Sequence, residues 1–298
     1  MTDISAPIVW VTGSTGQVGR AIMATAPATV RCVPLARPQF DLSTPDWVEA
    51  LARRAPPNLI LHAGAWTAVD RAESEPELAM ATNVGGTTAL AACAAACGAR
   101  MILVSTDYVF SGDSSTPWKP DAAAAPRSVY GTSKWLAEQS MAALDPARAC
   151  IVRTSWVYDA HGQNFVRTML RLMSSLPQVR IVSDQFGTPT AAGSLAACLW
   201  QAARMETEGI LHFADAGTAS WYDFAVAIQD IALELRLLSH RCELVPIATR
   251  DYPTPAQRPA FSVLDRSRAW SELQLPAVHW RHALAGVLQQ LAVNRSDS

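Results

Sequence analysis

A short apolar stretch that runs straight into a glycine-rich turn constrains the fold of this chain more than any other feature. Residues 8–12 are apolar and β-type, and glycines follow at positions 13, 16 and 19 before a helical pattern. Glycine lets the chain turn tightly and lets backbone N–H groups at a helix N-terminus approach a pyrophosphate. The spacing is GxxGxxG and differs from the commoner GxGxxG, but its place between a first strand and a first helix predicts a dinucleotide-binding turn. The predicted contacts come from Gly13, Gly16, Gln17, Val18 and Gly19.

Strand-like and helix-like segments alternate through the first half of the chain. Further short apolar runs end at Leu35, His62, Ser105 and Arg153, and helical patterns lie between them. Alternation of this kind predicts an α/β fold with a Rossmann-like, doubly wound parallel sheet. Because crossovers between parallel strands are right-handed, the carboxyl ends of these strands should lie along one rim.

The regular alternation weakens beyond about residue 154. Helical patterns there are mixed with short strands, and the loops are rich in proline. We interpret residues 1–153 as an NAD(P)-binding Rossmann domain to which later segments return. Residues 154–298 are interpreted mainly as a smaller, partly interleaved α/β substrate domain. One of its proline-rich loops carries Arg258, whose guanidinium group suits a substrate phosphate.

Tyr130 and Lys134 stand four residues apart at the start of a predicted helix. Lys119 and Lys134 are the only lysines in the chain, so composition does not account for a lysine at this position. Residues four apart share a helix face, and an ammonium group beside a phenol favours phenolate and lowers the pKa of the tyrosine. The pair predicts a general acid, although an ordinary tyrosine beside a solvated lysine fits the same spacing.

Three further features predict how a cofactor would lie on the rim. Arg37 follows the second strand where an acidic residue would bind a ribose 2'-hydroxyl. An arginine there suits a 2'-phosphate and favours NADPH over NADH, although an exposed loop arginine fits the pattern equally. Ala63, Gly64 and Ala65 follow the third strand and leave room for a ligand. The hydroxyl of Thr106 follows the fourth strand and should reach the same edge.

Composition limits the classes of function. The chain has 298 residues, of which 50% are hydrophobic and 17% charged, with a net charge of -2. These values favour a globular protein with a small-molecule partner over disorder or a nucleic-acid surface. No apolar run approaches the ~20 residues of a membrane span and the N-terminus lacks a basic signal, so we expect a cytoplasmic protein. The six cysteines contain no CxxC and lie mostly in apolar segments, which predicts buried thiols.

The glycine turn, the threonine after the fourth strand and the Tyr-x-x-x-Lys motif resemble, in this order, the extended short-chain dehydrogenase/reductase superfamily. Longer runs resemble one family within it, the dTDP-4-dehydrorhamnose reductases, and together they span nearly the whole chain. These runs are 67–70, 105–110, 153–158, 184–190, 220–225 and 253–259. The resemblance implies that hydride from NAD(P)H reduces the C4 ketone of a nucleotide-linked 6-deoxyhexulose.

The resemblance also implies roles for individual residues. Tyr130 would donate a proton to the developing alkoxide, Lys134 would lower the pKa of that tyrosine and hold the nicotinamide ribose, and Thr106 would hydrogen-bond the oxygen. Trp156 would line the sugar site, although a core position suits a tryptophan in this chain as well. By the same resemblance the sugar site also includes Asp107 and Tyr108, Asp41 and Leu42 flank the adenine, and Ala63–Ala65 lie along the cofactor.

The chain departs from the family at two places. His62 and Trp66 stand where relatives often have Asn and either Tyr or His, which bears on the fit of the cofactor. Some relatives bind magnesium through glutamates at a dimer interface, but Ala21 and Gly193 stand at two of those positions. We therefore predict no metal, and the sequence leaves the choice between a monomer and a homodimer open.

Other functions share this fold. A nucleotide-sugar 4,6-dehydratase needs an Asp-Glu pair after the threonine, but Thr106 is followed by Asp107-Tyr108, so the base for elimination is missing. An epimerase or another nucleotide-sugar reductase stays open. So does a non-catalytic NADP-binding subunit of the kind that regulates methionine adenosyltransferase, although the intact Thr106, Tyr130 and Lys134 argue against it. The nucleotide and the exact hexulose are not readable from the residues.

Overall fold

The computed structural model describes residues 6–296, which contain the strands and helices of an α/β fold. The strands are β1 (Ile8–Thr12), β2 (Arg31–Leu35), β3 (Leu59–His62), β4 (Arg100–Thr106), β5 (Ala149–Thr154), β6 (Val157–Tyr158), β7 (Gln178–Val182), β8 (Phe186–Gly187), β9 (Thr190–Ala191), β10 (Gly209–His212), β11 (Ala219–Ser220) and β12 (Glu243–Ile247). The helices are α1 (Gln17–Ala24), α2 (Trp47–Arg54), α3 (Val69–Ser74), α4 (Pro76–Met80), α5 (Gly86–Cys97), α6 (Val129–Ser140), α7 (Phe165–Ser175), α8 (Ala192–Arg204), α9 (Trp221–Glu234), α10 (Ser267–Glu272) and α11 (Trp280–Ser296). A π-helical segment, Ala81–Gly85, joins α4 to α5.

Six strands form one sheet in the order β10-β5-β4-β3-β1-β2. Every neighbouring pair in it is parallel. The chain moves from β1 outward to β2, then crosses over to β3 and continues through β4 and β5, which is the doubly wound order. The predicted Rossmann-like α/β fold class is confirmed. Strand β10, from the second half of the chain, completes the sheet at the β5 edge.

The two faces of this sheet carry separate hydrophobic layers. Successive residues of a strand point to opposite faces. Val9 and Val11 of β1 accordingly belong to one layer, and Trp10 belongs to the other. The first layer packs against residues of α1 and α8, such as Ile22 and Leu199. The other layer packs against α2, α5 and α6, so the helix that carries Tyr130 lies on the Trp10 face.

A separate core lies in the second half of the chain. Strands β7 and β12 pair in parallel, and helices α7, α9 and α11 pack around them. Its large side chains include Tyr158, Phe224 and Trp280. The ring centroid of Phe224 lies within 6 Å of the ring centroid of each of the other two. The elements after residue 154 therefore divide, because α8, β10 and α10 pack with the Rossmann sheet, whereas α7, β7, α9, β12 and α11 build this second core.

Two predicted boundaries are displaced for local reasons. Thr106 is the last residue of β4 and does not lie beyond it, because its backbone still pairs with Thr154 of β5. In the sequence, Thr44 and Pro45 predict an N-cap and first residue for a helix from Pro45 to Arg54, but α2 begins at Trp47 and no side chain caps its first turn. The Val48 amide donates to the Pro45 carbonyl at 2.9 Å, so the residues before α2 form a tighter turn than the predicted helix start.

One helical stretch, Pro76–Cys97, is long and apolar enough to cross a membrane when judged by length and composition. It has 22 residues and a mean hydropathy of 1.2, contrary to the expectation that no run approaches that length. The stretch is rich in alanine, and Leu90, Ala91 and Ala94 pack into the layer beneath the sheet. Core helices meet the same criteria, so the finding is weak evidence for a membrane span.

Candidate active site

The glycine turn packs directly against the small residues that follow β3. Gly13 has φ +64°, a left-handed conformation that favours glycine, and a Cβ there would lie 2.7 Å from the Gly64 Cα atom. A Cβ on Gly19 would lie 2.1 Å from the Gly13 carbonyl oxygen. Helix α1 begins just beyond, at Gln17, with no acidic side chain in its first turn. The turn therefore presents backbone amides at a helix N-terminus, an arrangement that suits an anionic group.

The residues predicted to flank an adenine lie beside this turn. The Leu42 side chain covers Gly64, where an added Cβ would meet Leu42 Cδ1 at 2.8 Å. The Asp41 carboxylate accepts hydrogen bonds from the Ser43 amide at 2.9 Å and from its hydroxyl at 2.8 Å. The bond from the Ser43 amide is the main reason that the pKa of Asp41 lies below its usual value. Arg37 is exposed just beyond β2.

Tyr130, Lys134 and Thr106 meet where β4 ends. Tyr130 and Lys134 are 9% and 2% exposed and lie on the buried side of α6. The Thr106 side chain lies close enough to the Tyr130 phenol to lower its pKa, and its hydroxyl donates to the Asp107 carboxylate at 3.1 Å. The Lys134 ammonium group donates to the Val104 carbonyl of β4 at 2.8 Å. The structure thus brings the three predicted catalytic side chains together and does not leave Lys134 in solvent.

Burial determines the protonation of these groups in the protein chain. It raises the pKa of Tyr130 to about 12, while the neighbouring Thr106 side chain acts in the opposite direction. It lowers the pKa of Lys134 to about 8, while the Glu138 carboxylate acts in the opposite direction. Burial is the largest influence on the pKa of Tyr130 in the chain alone, and the expected lowering of that pKa by Lys134 stays a prediction. A tyrosine protonated at neutral pH is ready to act as an acid.

Asp107 and Tyr108 lie beside this group. Asp107 is 1% exposed, and burial raises the pKa of its carboxyl to about 6. One carboxyl oxygen accepts from the Thr106 hydroxyl at 3.1 Å, whereas the other has no partner within residues 6–296. The Tyr108 ring packs edge-on against Tyr130, with centroids 5.6 Å apart. A buried carboxyl with a free oxygen could accept a hydrogen bond from a ligand hydroxyl.

Arg258, predicted to pair with a phosphate, is held by Asp70. Its two terminal nitrogens donate to the two Asp70 carboxylate oxygens at 3.1 and 2.8 Å. These bonds hold the pKa of Asp70 below its usual value. Arg258 also lines a cleft of about 480 Å³ in the proline-rich loop, together with the exposed Tyr252. The guanidinium group is thus fixed at the edge of a cleft, near Tyr108.

Trp156 is half-buried at the edge of the second core. Its ring stacks on Trp221 with a centroid distance of 3.5 Å and an angle of 6°. Its backbone has φ +47°, a conformation that is uncommon for a bulky residue. Gly187 lies against the indole, and a Cβ there would be 2.6 Å from it. The structure therefore gives Trp156 a packing role and leaves part of its side chain exposed.

Asn83 is a site residue that the sequence analysis missed. It is buried in the π-helical segment and accepts from the Trp66 amide at 2.7 Å. Its amide nitrogen donates to the Ser133 hydroxyl of α6 at 2.8 Å. Asn83 thus ties the stretch after β3 to the helix of Tyr130 and Lys134. A polar residue in an otherwise apolar, alanine-rich helix was the available signal, and π-helical turns are frequent at functional sites.

His62 holds the stretch after β3 from beneath. Its Nδ1 atom hydrogen-bonds the Thr12 hydroxyl at 2.6 Å, and its Nε2 atom lies 3.0 Å from the Thr87 hydroxyl. Thr12 in turn accepts from the Gly64 amide at 3.0 Å. Burial, aided by the nearby Lys134 charge, lowers the pKa of His62 to about 3. The histidine is therefore a neutral brace between β1, β3 and α5.

His62→Asn should change how stability depends on pH. Between pH 6.5 and about 3 the unfolded chain binds a proton at His62 that the folded chain does not, so the free energy of unfolding falls as pH drops. At about pH 5 the free energy of unfolding of the parent is roughly 2 kcal/mol lower than above pH 6.5 because of His62. Asparagine does not titrate and has no such penalty. The variant should be about 1 kcal/mol less stable near pH 8, from lost hydrogen bonding, but should equal or exceed the parent near pH 5.

Urea unfolding at the two pH values measures this difference. His240→Asn, which removes an exposed imidazole, is the matched control. A His62→Asn deficit of the same size at both pH values would contradict the low pKa of His62.

The cysteines are less buried than predicted. Cys150, Cys198 and Cys242 are buried, but Cys32 and Cys93 are half-buried and Cys97 is exposed at the end of α5. Among residues 6–296, no three His, Cys, Asp or Glu side chains are grouped so that they could hold a metal ion.

Comparison with known proteins places this site in a family. The family model described as the RmlD substrate binding domain matches residues 8–293. A curated relative from Sinorhizobium fredii, a dTDP-4-dehydrorhamnose reductase, is 37% identical over 97% of this chain and 99% of its own length. The same enzyme from Salmonella typhimurium is 36% identical over 94% of this chain and 96% of its own length.

Solved structures agree with this assignment. A dTDP-4-dehydrorhamnose reductase from Clostridium acetobutylicum superposes with a TM-score of 0.89 at 32% identity, covering 95% of this chain and 99% of that one. The Bacillus anthracis enzyme, solved in complex with NADP, superposes with a TM-score of 0.90 at 29% identity, covering 96% of this chain and 100% of that one. The similarity therefore extends over both the parallel sheet and the second core.

Proposed function

The chain belongs to the dTDP-4-dehydrorhamnose reductase family, and from this premise we propose that it reduces the C4 ketone of dTDP-4-dehydro-β-L-rhamnose to give dTDP-β-L-rhamnose. It is an NADP-linked oxidoreductase by family, and NADPH is the proposed cofactor, with NADH as a weaker substitute. The reaction would be the last step of dTDP-L-rhamnose biosynthesis and would take place in the cytoplasm. The observation that carries the proposal is the grouping of three buried side chains, Thr106, Tyr130 and Lys134, at the carboxyl end of β4.

The residues present fit a dinucleotide. Gly13 and Gly19 leave no room for side chains between the turn and the stretch after β3, so backbone amides form the surface there. We assign the pyrophosphate to the first turn of α1, the adenine to Asp41 and Leu42, and the 2'-phosphate to Arg37. When bound, NADPH supplies the hydride. Ala63–Ala65 and Lys134 would hold the nicotinamide half of the cofactor. Asn83 would keep these two segments in place relative to each other, because it hydrogen-bonds the stretch after β3 and helix α6.

In the proposed reaction Tyr130 supplies the proton. Hydride added to the C4 carbon leaves negative charge on the carbonyl oxygen, and proton transfer from the Tyr130 hydroxyl completes the alcohol. Burial keeps the tyrosine protonated before the reaction, because its pKa is about 12. Thr106 lies within hydrogen-bonding reach of the same hydroxyl and would orient the substrate oxygen. Lys134 would favour the phenolate that forms.

The substrate would lie between the two halves of the chain. We assign a sugar hydroxyl to the unpartnered oxygen of Asp107, since a buried acceptor of this kind needs a donor. Tyr108 and the exposed part of Trp156 would border the sugar. Arg258, held by Asp70, would face a phosphate of the nucleotide, because a guanidinium group retains further donors after a bidentate bond to one carboxylate.

Oxidation of NADPH with dTDP-4-dehydro-β-L-rhamnose tests the function. The substrate is generated in place from dTDP-glucose by the 4,6-dehydratase and the 3,5-epimerase, and the loss of NADPH absorbance is followed. Consumption that requires the 3,5-epimerase supports the proposal. Tight NADPH binding without turnover would contradict it and would favour the non-catalytic subunit. Turnover without the 3,5-epimerase would indicate another nucleotide sugar.

Arg37→Ala should reduce the preference for NADPH. The exposed guanidinium group would pair with the 2'-phosphate, and a charge-assisted pair of this kind contributes about 1–2 kcal/mol at an exposed site. The dissociation constant for NADPH should therefore rise about tenfold, while that for NADH stays nearly unchanged. Titration of protein fluorescence with each cofactor measures both constants. Arg53→Ala, in an exposed pair on α2, is the control, and equal weakening of the two cofactors by Arg37→Ala would refute the assignment.

A further inference from the structure

A buried ion pair lies one helical turn beyond Lys134. The side chains of Glu138 on α6 and Arg153 on β5 are 2% and 4% exposed. Arg153 donates to both carboxylate oxygens, at 2.9 and 2.7 Å. The Ser105 hydroxyl of β4 donates to the same carboxylate at 2.5 Å. The chemistry proposed above gives this pair no role, and burying two charges is costly, so the pair calls for an explanation.

The pair continues the row of side chains that begins with Tyr130. Residues 130, 134 and 138 are spaced by four and therefore share one face of α6. All three are buried against the sheet. Lys134 is bound by the Val104 carbonyl, and Glu138 is bound by the next residue, Ser105. Two consecutive residues of β4, Val104 and Ser105, thus hydrogen-bond side chains on two consecutive turns of α6.

The negative charge of the Glu138 carboxylate raises the pKa of the Lys134 ammonium group. His62 on β3 also faces it, but this histidine is neutral. The other titratable or charged groups on elements that pack around this part of α6 are Asp107 and Tyr108 after β4, Glu73 on α3, Tyr130 on α6 itself, and Arg153 on β5 with its neighbour His212 on β10. Among these, Glu138 is the one whose negative charge offsets the burial of Lys134.

We propose that Glu138 is a positioning residue that keeps the Lys134 ammonium group charged and seated on β4, and that Arg153 limits this effect by sharing the carboxylate. Removing the carboxylate takes a negative charge away from Lys134 and leaves Arg153 as an unpaired positive charge behind it. Removing Arg153 instead frees the whole carboxylate to act on Lys134. The two changes therefore move the proton affinity of Lys134 in opposite directions.

The inference rests on the proposed function in one respect, the contact of Lys134 with the cofactor, and its test needs no sugar substrate. The dissociation constant for NADPH is measured by fluorescence between about pH 6 and pH 10, since binding of an anionic cofactor weakens when Lys134 loses its proton. The parent should show a midpoint near the Lys134 pKa of about 8. Glu138→Gln should lower this midpoint by about one unit, and Arg153→Met should raise it.

Opposite shifts separate positioning from a purely structural role. Loss of packing alone would weaken binding in both variants at every pH and leave the midpoint in place, and shifts in the same direction would overturn the proposal as well. Glu272→Gln, in the exposed pair with Arg268 on α10, controls for the loss of one carboxylate. Its midpoint should equal that of the parent.

A double variant tests the proposal if the single variants fail to fold. The double variant Glu138→Gln/Arg153→Met removes both charges of the buried pair together and should fold. Its midpoint should lie below that of the parent, because Lys134 has lost its carboxylate, and an unchanged midpoint would overturn the proposal. NADPH binding with these shifts but without sugar turnover would refute the proposed reaction alone. Absence of NADPH binding at every pH would refute both.

Discussion

Tyr130→Phe should lower turnover by about 10²-fold or more while NADPH binding stays nearly unchanged. The phenol is the proposed source of the proton, and removal of a general acid has effects of this size. The substitution deletes one oxygen atom and keeps the ring, which packs edge-on against Tyr108. Stability should therefore change little, and steady-state NADPH oxidation together with a fluorescence titration of NADPH separates chemistry from binding.

Tyr158→Phe is the matched control for this substitution. Tyr158 is buried in the second core, and its hydroxyl donates to the Trp280 carbonyl at 3.4 Å. The control variant should keep its turnover. Retention of most activity by Tyr130→Phe would refute the assignment of the proton donor, whatever the nucleotide sugar.

Gly19→Ala should weaken NADPH binding by about 10²-fold. The new Cβ would lie 2.1 Å from the Gly13 carbonyl oxygen and 2.7 Å from Ser14 Cα, and both are backbone atoms that cannot rotate away. The turn must therefore shift, and a backbone distortion of this kind costs about 3 kcal/mol. If the cost falls on the bound geometry, the dissociation constant for NADPH rises by about 10²-fold. Titration of NADPH, with thermal unfolding measured in parallel, gives both quantities.

Gly286→Ala is the control for Gly19→Ala, because this substitution should not disturb the structure. Gly286 is exposed within α11, and no atom lies within 4 Å of its added Cβ. A glycine inside a helix costs about 0.5–1 kcal/mol relative to alanine, so this variant should be slightly more stable and should bind NADPH as the parent does. Equal behaviour of the two alanine variants would show that the glycine turn does not form the cofactor surface.

Local patterns in the sequence were sufficient to predict the sheet and its rim. Apolar runs that end at Thr12, His62 and Ser105 alternate with helices, and right-handed crossovers then bring those ends to one rim. The glycine turn and the Tyr130–Lys134 pair are also local, because a turn and one helical step determine each of them. The positions of these side chains could therefore be predicted without knowledge of the packing.

Contacts between distant parts of the chain could not be predicted in this way. Asp70 and Arg258 are separated by 188 residues, and neither local pattern indicates the other partner. Glu138 has the spacing of the catalytic face, but its pairing with Arg153 depends on how α6 lies across β5. The net pKa of Tyr130 could not be predicted for the same reason, since the neighbouring charge can be read from the spacing but the burial of the phenol cannot.

The position of strand β10 bears on how the chain folds during synthesis. Residues 209–212 form the only neighbour of β5 on its outer side in the described sheet, so β5 remains an open edge until they are synthesised. Its side chains include the apolar Ile151 and Val152, and an unpaired apolar edge invites aggregation. A gene fragment that stops at residue 153 should therefore yield an N-terminal half that self-associates.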